Sequence, residues 1–197
     1  MRDALASRTV ASEAAGHRQV RRLAAVLFFA LLTAIGAAVE VPLPGNPVPM
    51  TLQTLFVSLS GVLLGPVLGA ASQATYLLAG ALGAPVFSGG GGGLAHLISA
   101  TGGYLLAFPL AAAVTAVLAG RVPAQLTVPA AMRLWIAILL GTAVIFIGGV
   151  LQLSILTGDS ARAIQLGVVP FIVGDLLKVT AAFLVALRYR ARTLGWL

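Results

Sequence analysis

Along the 197-residue chain, six apolar stretches almost free of charge alternate with short runs of proline, glycine or arginine. The first covers about 23–39 and ends at Val41-Pro42-Leu43-Pro44, where proline cannot continue a helix. The second, about 52–64, is short for a crossing and breaks at Gly65-Pro66 before the third, about 67–82. The fourth opens at Thr101-Gly102-Gly103-Tyr104 and runs to about 118, the fifth spans about 134–156, and the sixth about 168–187. At roughly 1.5 Å per residue, a stretch of 20 residues reaches about 30 Å, the thickness of a bilayer's hydrocarbon core. The pattern predicts an all-α integral membrane protein, a bundle of six transmembrane helices in one domain (23–187), with polar tails at 1–22 and 188–197. Residues 1–22 lack a small-residue cleavage site and read as a tail rather than a signal peptide.

Two connections stand out. The segment Pro42 to Thr51 carries Pro42, Pro44, Pro47 and Pro49, which stiffen it and leave little entropy to lose on closing over a ligand. The segment Gly83-Ala84-Pro85-Val86-Phe87-Ser88 is followed by five glycines, Gly89 to Gly93, whose bare backbone lets N–H groups approach a ligand closely. Leu94 to Ser99 reads as a short helix or re-entrant segment. Thr157-Gly158-Asp159 and Arg121-Val122-Pro123 carry ordinary turn chemistry. Short or broken spans such as 52–64 often line a substrate cavity in transporters.

Composition agrees with the pattern: 59% of residues are hydrophobic and 9% charged, against about 25% charged in soluble domains, and mean hydropathy is +1.05. The net charge of +7 does not mark a nucleic-acid binder, because its sources cluster at span ends. With six crossings, Arg2, Arg8, Arg18, Arg21, Arg22, Arg121, Arg133, Arg188, Arg190 and Arg192 face one side, and Arg162 the other. The positive-inside rule then puts both termini in the cytoplasm. Cysteine is absent and the two histidines, His17 and His96, make no metal cluster.

Inside the sixth stretch lie Asp175 and Lys178. A helix over 168–187 would hold both at bilayer depth rather than at its edge, where a charge costs at least ~2.5 kcal/mol and marks a site or pathway. Spaced i, i+3, they share a face and can neutralise each other. They could simply fix helix register. The functional alternative is a receptor in which the carboxylate accepts from a ligand's amide-like N–H groups and the ammonium pairs with its acid or carbonyl. Gln53 and Tyr104 either line the same cavity or anchor at the interface, and His96 reads as interfacial. The glycine run lacks the lysine and hydroxyl of a P-loop, which removes nucleotide hydrolysis from this chain. Intramembrane proteolysis fails too, because there is no Gly-x-Ser-x-Gly turn and no second intraspan carboxylate facing Asp175. Three ladders of small residues occur, Ala30/Ala34/Ala38, Gly61/Gly65/Gly69 and Gly141/Gly148/Gly149. They serve packing within the bundle or, most of all for the alanines, docking of another membrane protein.

Together, Val41-Pro42-Leu43-Pro44, Pro47-Val48-Pro49-Met50-Thr51-Leu52-Gln53-Thr54, Gly80 to Gly93, Thr101-Gly102-Gly103-Tyr104-Leu105 and Pro170-Phe171-Ile172-Val173-Gly174-Asp175-Leu176-Leu177-Lys178 resemble the BioY family. Its members are the biotin-binding S components of energy-coupling factor (ECF) transporters. The resemblance covers about 23–187. It implies a multi-pass protein of the bacterial cell membrane, with biotin bound near the outer face under the two unusual loops. It implies a substrate-binding subunit rather than an enzyme, with no cofactor of its own, working with a transmembrane coupling protein and two ATPase subunits that consume ATP. For the site it implies Asp175, Lys178, Gln53 and Tyr104, backbone from Ser88, Gly89 and Gly90, and Phe87 as a wall for the ring system. For docking it implies Ala30, Ala34 and Ala38. The alternatives are an S component for another small vitamin or an ion-coupled carrier; the latter is disfavoured by the lack of an inverted repeat of broken helices.

Overall fold

The computed structural model describes the backbone of residues 2–120 and 127–197, and side chains from residue 16 onward. The Arg121-Val122-Pro123 connection and the side chains of Arg2 and Arg8 lie outside the described residues. The elements are α1 (Arg2–Ala38), β1 (Glu40–Val41), β2 (Met50–Thr51), α2 (Gln53–Ala81), α3 (Leu94–Leu97), α4 (Gly102–Ala119), α5 (Val128–Thr157), α6 (Ser160–Gly167) and α7 (Ile172–Trp196). Short 3-10 turns occupy Ser88–Gly90 and Val169–Phe171. By length and composition, five helical segments among the described residues can cross a membrane.

One of those five is folded in two. At Gly65 the backbone takes φ 82°, ψ 177°, a conformation essentially confined to glycine, and Pro66 cannot donate into a preceding turn. The helix therefore reverses into antiparallel arms, 53–64 and 66–81. Gln53 Nε2 donates to Tyr76 Oη at 2.6 Å, although on a straight helix 23 residues would separate them by about 34 Å. Gly69 lies against the backbone of Ser60 and Gly61, where a Cβ would come within 2.9 Å of the Ser60 carbonyl oxygen. Six rods result, as the hydropathy pattern predicts.

The glycine ladders serve this internal packing. A side chain at Gly61 would collide with the Ala112 backbone of α4, one at Gly103 with the Gly148 carbonyl of α5, and one at Gly149 with the Tyr104 ring. At the centre, Gln73 Nε2 donates to Ser60 Oγ at 3.1 Å and to Thr33 Oγ1 at 3.2 Å. This buried polar cluster ties α1 to both arms of the hairpin. The alanine ladder turns mostly inward: Ala30 is buried in the core, Ala34 packs against it, and Ala38 alone is exposed.

Basic residues gather at one end. Arg190, from α7, donates to the Val62 carbonyl at 3.0 Å and the Gly120 carbonyl at 2.6 Å, capping the C-terminal turns of the first hairpin arm and of α4. Arg21 and Arg22 of α1 donate to the carbonyls of Trp196 and Leu197. The opposite end carries the proline-rich loop, closed by the β1–β2 pairing of Glu40 with Thr51 and Val41 with Met50, the glycine-rich loop, and α6 with Arg162.

Several boundaries differ from the sequence expectation. The segments read as tails continue the end helices, α1 being helical from Arg2 and α7 to Trp196; Ala4, Ala6, Ala11, Ala14 and Ala15 are strong helix formers. Helix α5 starts at Val128 rather than 134, with Thr127 as N-cap accepting from the Ala130 N–H and a proline in the first turn. After Gly158, Asp159 caps a helix, α6, rather than closing a plain turn; its Oδ1 accepts from the N–H groups of Ala161 and Arg162. Residues 168–171 then belong to a turn, so α7 begins at Ile172.

Candidate functional site

That late start moves the charged pair. Asp175 and Lys178 lie three and six residues into α7, about 4.5 and 9 Å along an axis of some 37 Å. They occupy the loop end of the helix. Both are buried. Lys178 Nζ sits 3.1 Å from Asp175 Oδ1 and donates to the Thr51 carbonyl at 2.9 Å. Thr54 Oγ1 donates to the same Asp175 oxygen at 2.7 Å. The pair thus joins the first turn of the short hairpin arm and the end of β2 to the start of α7.

Above it opens a cavity of about 500 Å3, counting the part open at its mouth. Its polar lining is Thr51, Gln53, Thr54, Ser88, Thr101, Tyr104, Asp175 and Lys178, and its apolar lining Val48, Pro49, Leu105, Phe108, Ile145, Phe146 and Phe171. Five of the sequence-predicted residues therefore meet around one space: Asp175, Lys178, Gln53, Tyr104 and Ser88.

Three do not line it. Phe87 is 1% exposed and packs where Gly80 has no side chain, edge-on to Tyr76 with ring centroids 5.6 Å apart and stacked on His96 at 5.0 Å. It anchors the glycine-rich loop instead of walling the cavity. Gly89 and Gly90 lie on the outer surface, with the Gly89 N–H donating to Glu40 Oε2 at 2.8 Å. That bond links the two capping loops across the mouth. His96 completes the loop's underside, its Nε2 3.2 Å from Thr101 Oγ1; burial holds its pKa below the ordinary value near 6.5.

Bond inventories show what the site can still offer. Tyr104 Oη donates to the Gly167 carbonyl at 2.8 Å, so toward a ligand the phenol acts as acceptor. The Gln53 amide donates to Tyr76, whose hydroxyl donates to the Val86 carbonyl at 3.0 Å, and its Oε1 accepts from Thr51 Oγ1 at 2.9 Å. One Gln53 N–H remains. Lys178 keeps one N–H beyond its two partners, and both bonds to Asp175 fall on Oδ1, leaving Oδ2 without a partner among the described residues. The cavity can accept through Asp175 Oδ2 and donate through Lys178 and Gln53, beside a wall of four aromatic rings from Tyr104, Phe108, Phe146 and Phe171. It fits a ligand with a compact polar head, N–H donors beside an acceptor, and an apolar remainder.

Sequence reasoning missed Thr51, Thr54 and Thr101 and most of the apolar wall. The threonines were visible beside Gln53 and at the start of the fourth span. The apolar residues give no contrast on helices that are apolar all round.

Comparison with known proteins bears on this arrangement. Residues 7–194 match the model of the BioY family. The chain is 38% identical over 175 residues, 89% of its length and 99% of the relative's, to a probable biotin transporter BioY of Pyrococcus horikoshii. Over 171 residues, covering 87% of this chain and 96% of the other, it is 39% identical to the biotin transporter BioY of Thermotoga maritima. Its fold superposes with a TM-score of 0.78 on the crystal structure of the S-component for biotin from an ECF-type ABC transporter. That match has 24% identity and covers 89% of this chain and 93% of the other. With residues 7–194 matched by the family model and relatives 38% and 39% identical over nearly their full length, the chain belongs to the BioY family.

Proposed function

We propose that this chain takes up biotin, as the membrane subunit that captures the vitamin and releases it to the other side. The observation that carries the reading is the buried Asp175–Lys178 pair, facing an aromatic-walled cavity with one carboxylate oxygen and one ammonium N–H unspent. Biotin supplies the complement: a ureido ring with two N–H donors and a carbonyl, a thioether ring for the apolar wall, and a valerate carboxylate. In this reading Asp175 Oδ2 accepts a ureido N–H and Lys178 supplies positive charge to an acceptor, while the mutual pairing keeps the occupied site near neutrality. Gln53 and the Ser88 hydroxyl complete the polar contacts, and Tyr104 with Phe108, Phe146 and Phe171 flanks the rings.

The protein is a multi-pass protein of the plasma membrane, and its arginine-rich end, with both termini, faces the cytoplasm by the positive-inside rule. The cavity then opens outward under the loop 42–49 and the glycine-rich loop, which Glu40 and Gly89 link to each other. The sequence carries no P-loop motif, and we assign the driving force to an ECF transmembrane coupling protein and two ATPase subunits. Docking of the coupling protein falls to the exposed part of α1 around Ala38 rather than to Ala30, which the core already covers.

The test is retention of radiolabelled biotin by purified protein in the absence of any ion gradient. Sub-micromolar binding is expected, insensitive to sodium; binding that appears only with an ion gradient would turn the assignment toward an ion-coupled carrier. Uptake in a host lacking every ATPase module tests the energising partners, and undiminished concentrative uptake there refutes their requirement.

A further inference from the structure

A second cavity, of about 680 Å3 counting its open side, runs along the seam between α5 and α7. Toward the basic end these helices pack through Ala137, Ile138, Val179 and Ala182. The groove between them is lined by apolar residues such as Leu139, Leu140, Ala143, Ile172 and Leu176. The Thr142 hydroxyl is already spent on the Ile138 carbonyl. Two residues, Phe146 and Asp175, line both this groove and the candidate biotin cavity. The partition between the two spaces is therefore one side chain thick.

Phe146 is the part of that partition held only by ring contacts. On the cavity side its ring lies 6.4 Å from Tyr104 and 6.3 Å from Phe171, centroid to centroid, in loose edge and tilted contacts. On the groove side it meets space, because the residue one turn earlier on its face of α5 is Ala143. Asp175, by contrast, is held by Thr54 and Lys178.

We propose that the site opens sideways to the bilayer past Phe146, so that it accepts ligands made of a biotin-like head and an apolar tail, with the tail lying in the groove between α5 and α7. The proposal rests on reading the first cavity as the biotin site. The ligand class is an alkyl amide or ester of biotin, in which the carbonyl is kept as an acceptor and the carboxylate charge is lost. Because lipid is as apolar as the groove, a tail gains nothing by moving from one to the other. The lateral opening therefore predicts tolerance of a tail, not tighter binding.

The experiment is competition against radiolabelled biotin, with the protein in lipid nanodiscs, by the methyl amide and the octyl amide of biotin. The octyl amide is expected to compete within tenfold of the methyl amide. Ala143→Trp, which fills the groove without touching the first cavity, is expected to weaken the octyl amide at least tenfold while leaving biotin and the methyl amide unchanged. Leu140→Trp gives the same filling should the first variant fail to fold. An octyl amide that fails where the methyl amide competes overturns the proposal, and shows the groove to hold lipid chains only. Octyl amide binding unaffected by either tryptophan overturns it as well. If the unaltered protein does not bind biotin at all, the functional reading itself falls, and the proposal with it.

Discussion

Lys178→Met separates what the charged pair does for the fold from what it does for the ligand. Removing the ammonium leaves Asp175, 5% exposed, with the Thr54 hydroxyl as its remaining donor, and leaves the Thr51 carbonyl without its partner. Breaking a buried pair in this way costs about 3–5 kcal/mol. For a chain of this size that corresponds to a fall of roughly 6–20 °C in melting temperature. The double variant Asp175→Asn/Lys178→Met carries no uncompensated charge, and Thr54 can still donate to the amide oxygen. Its stability is expected to return by about 2 kcal/mol toward the parent, since replacing both members of a buried pair is often near neutral. Biotin capture behaves differently. Lys178→Met loses one charge-assisted bond of about 1.5–3 kcal/mol, so affinity falls about 10- to 150-fold, and the double variant, which loses two, falls at least as far. Thermal unfolding in detergent and equilibrium biotin binding on the same preparations give both readouts. A single variant no less stable than the double, or a double variant with undiminished biotin affinity, refutes the reasoning.

Two further outcomes follow from the geometry. Gly65→Ala forces a side chain into φ 82°, ψ 177° at the hairpin reversal, a strain of about 1–3 kcal/mol; thermal unfolding should show it, whereas Gly195→Ala, with open space around it, should not. Because burial holds His96 below its ordinary value, the unfolded loop takes up its proton first. The stabilisation from the neutral ring is therefore complete above about pH 6.5 and is lost as the pH falls through the lower folded value. The protection factors of the amides of residues 87–99, corrected for intrinsic exchange, should fall as the pH drops below about 6.5, and His96→Phe, which keeps the stack on Phe87, should remove that dependence.

The sequence carried the six rods because charge-free runs of membrane length and proline breaks leave a one-dimensional trace. The reversal at Gly65-Pro66 was legible for the same reason. Helix α6 was not read, although Asp159 before Ser160-Ala161-Arg162 is an N-cap signal, because the glycine beside it pointed to a turn. The pair's position along its helix shifted through Pro170: counted as helix, it placed Asp175 seven residues in, whereas it sits in a 3-10 turn and the helix starts after it, with Asp175 in its first turn. Phe87 shows the limit of composition. An aromatic in a glycine-rich loop reads as a ligand wall, yet the space left by Gly80, seven residues earlier, takes its ring into the core. The aromatic wall that does line the cavity comes from helices apolar on every side, where periodicity has no polar face to contrast with.

The short hairpin arm has a further effect on where solvent reaches. Its 12 residues, 53–64, measure about 18 Å from the reversal near the arginine-rich end. In a slab some 30 Å thick, the arm stops roughly 12 Å short of the far boundary. Gln53, Thr54 and the two ionised groups beside them therefore stand at the floor of a recess, below the level of the surrounding acyl chains, with the prolines of 42–49 as its roof. A solute arriving at the loop end sheds its water inside this well instead of at the membrane surface.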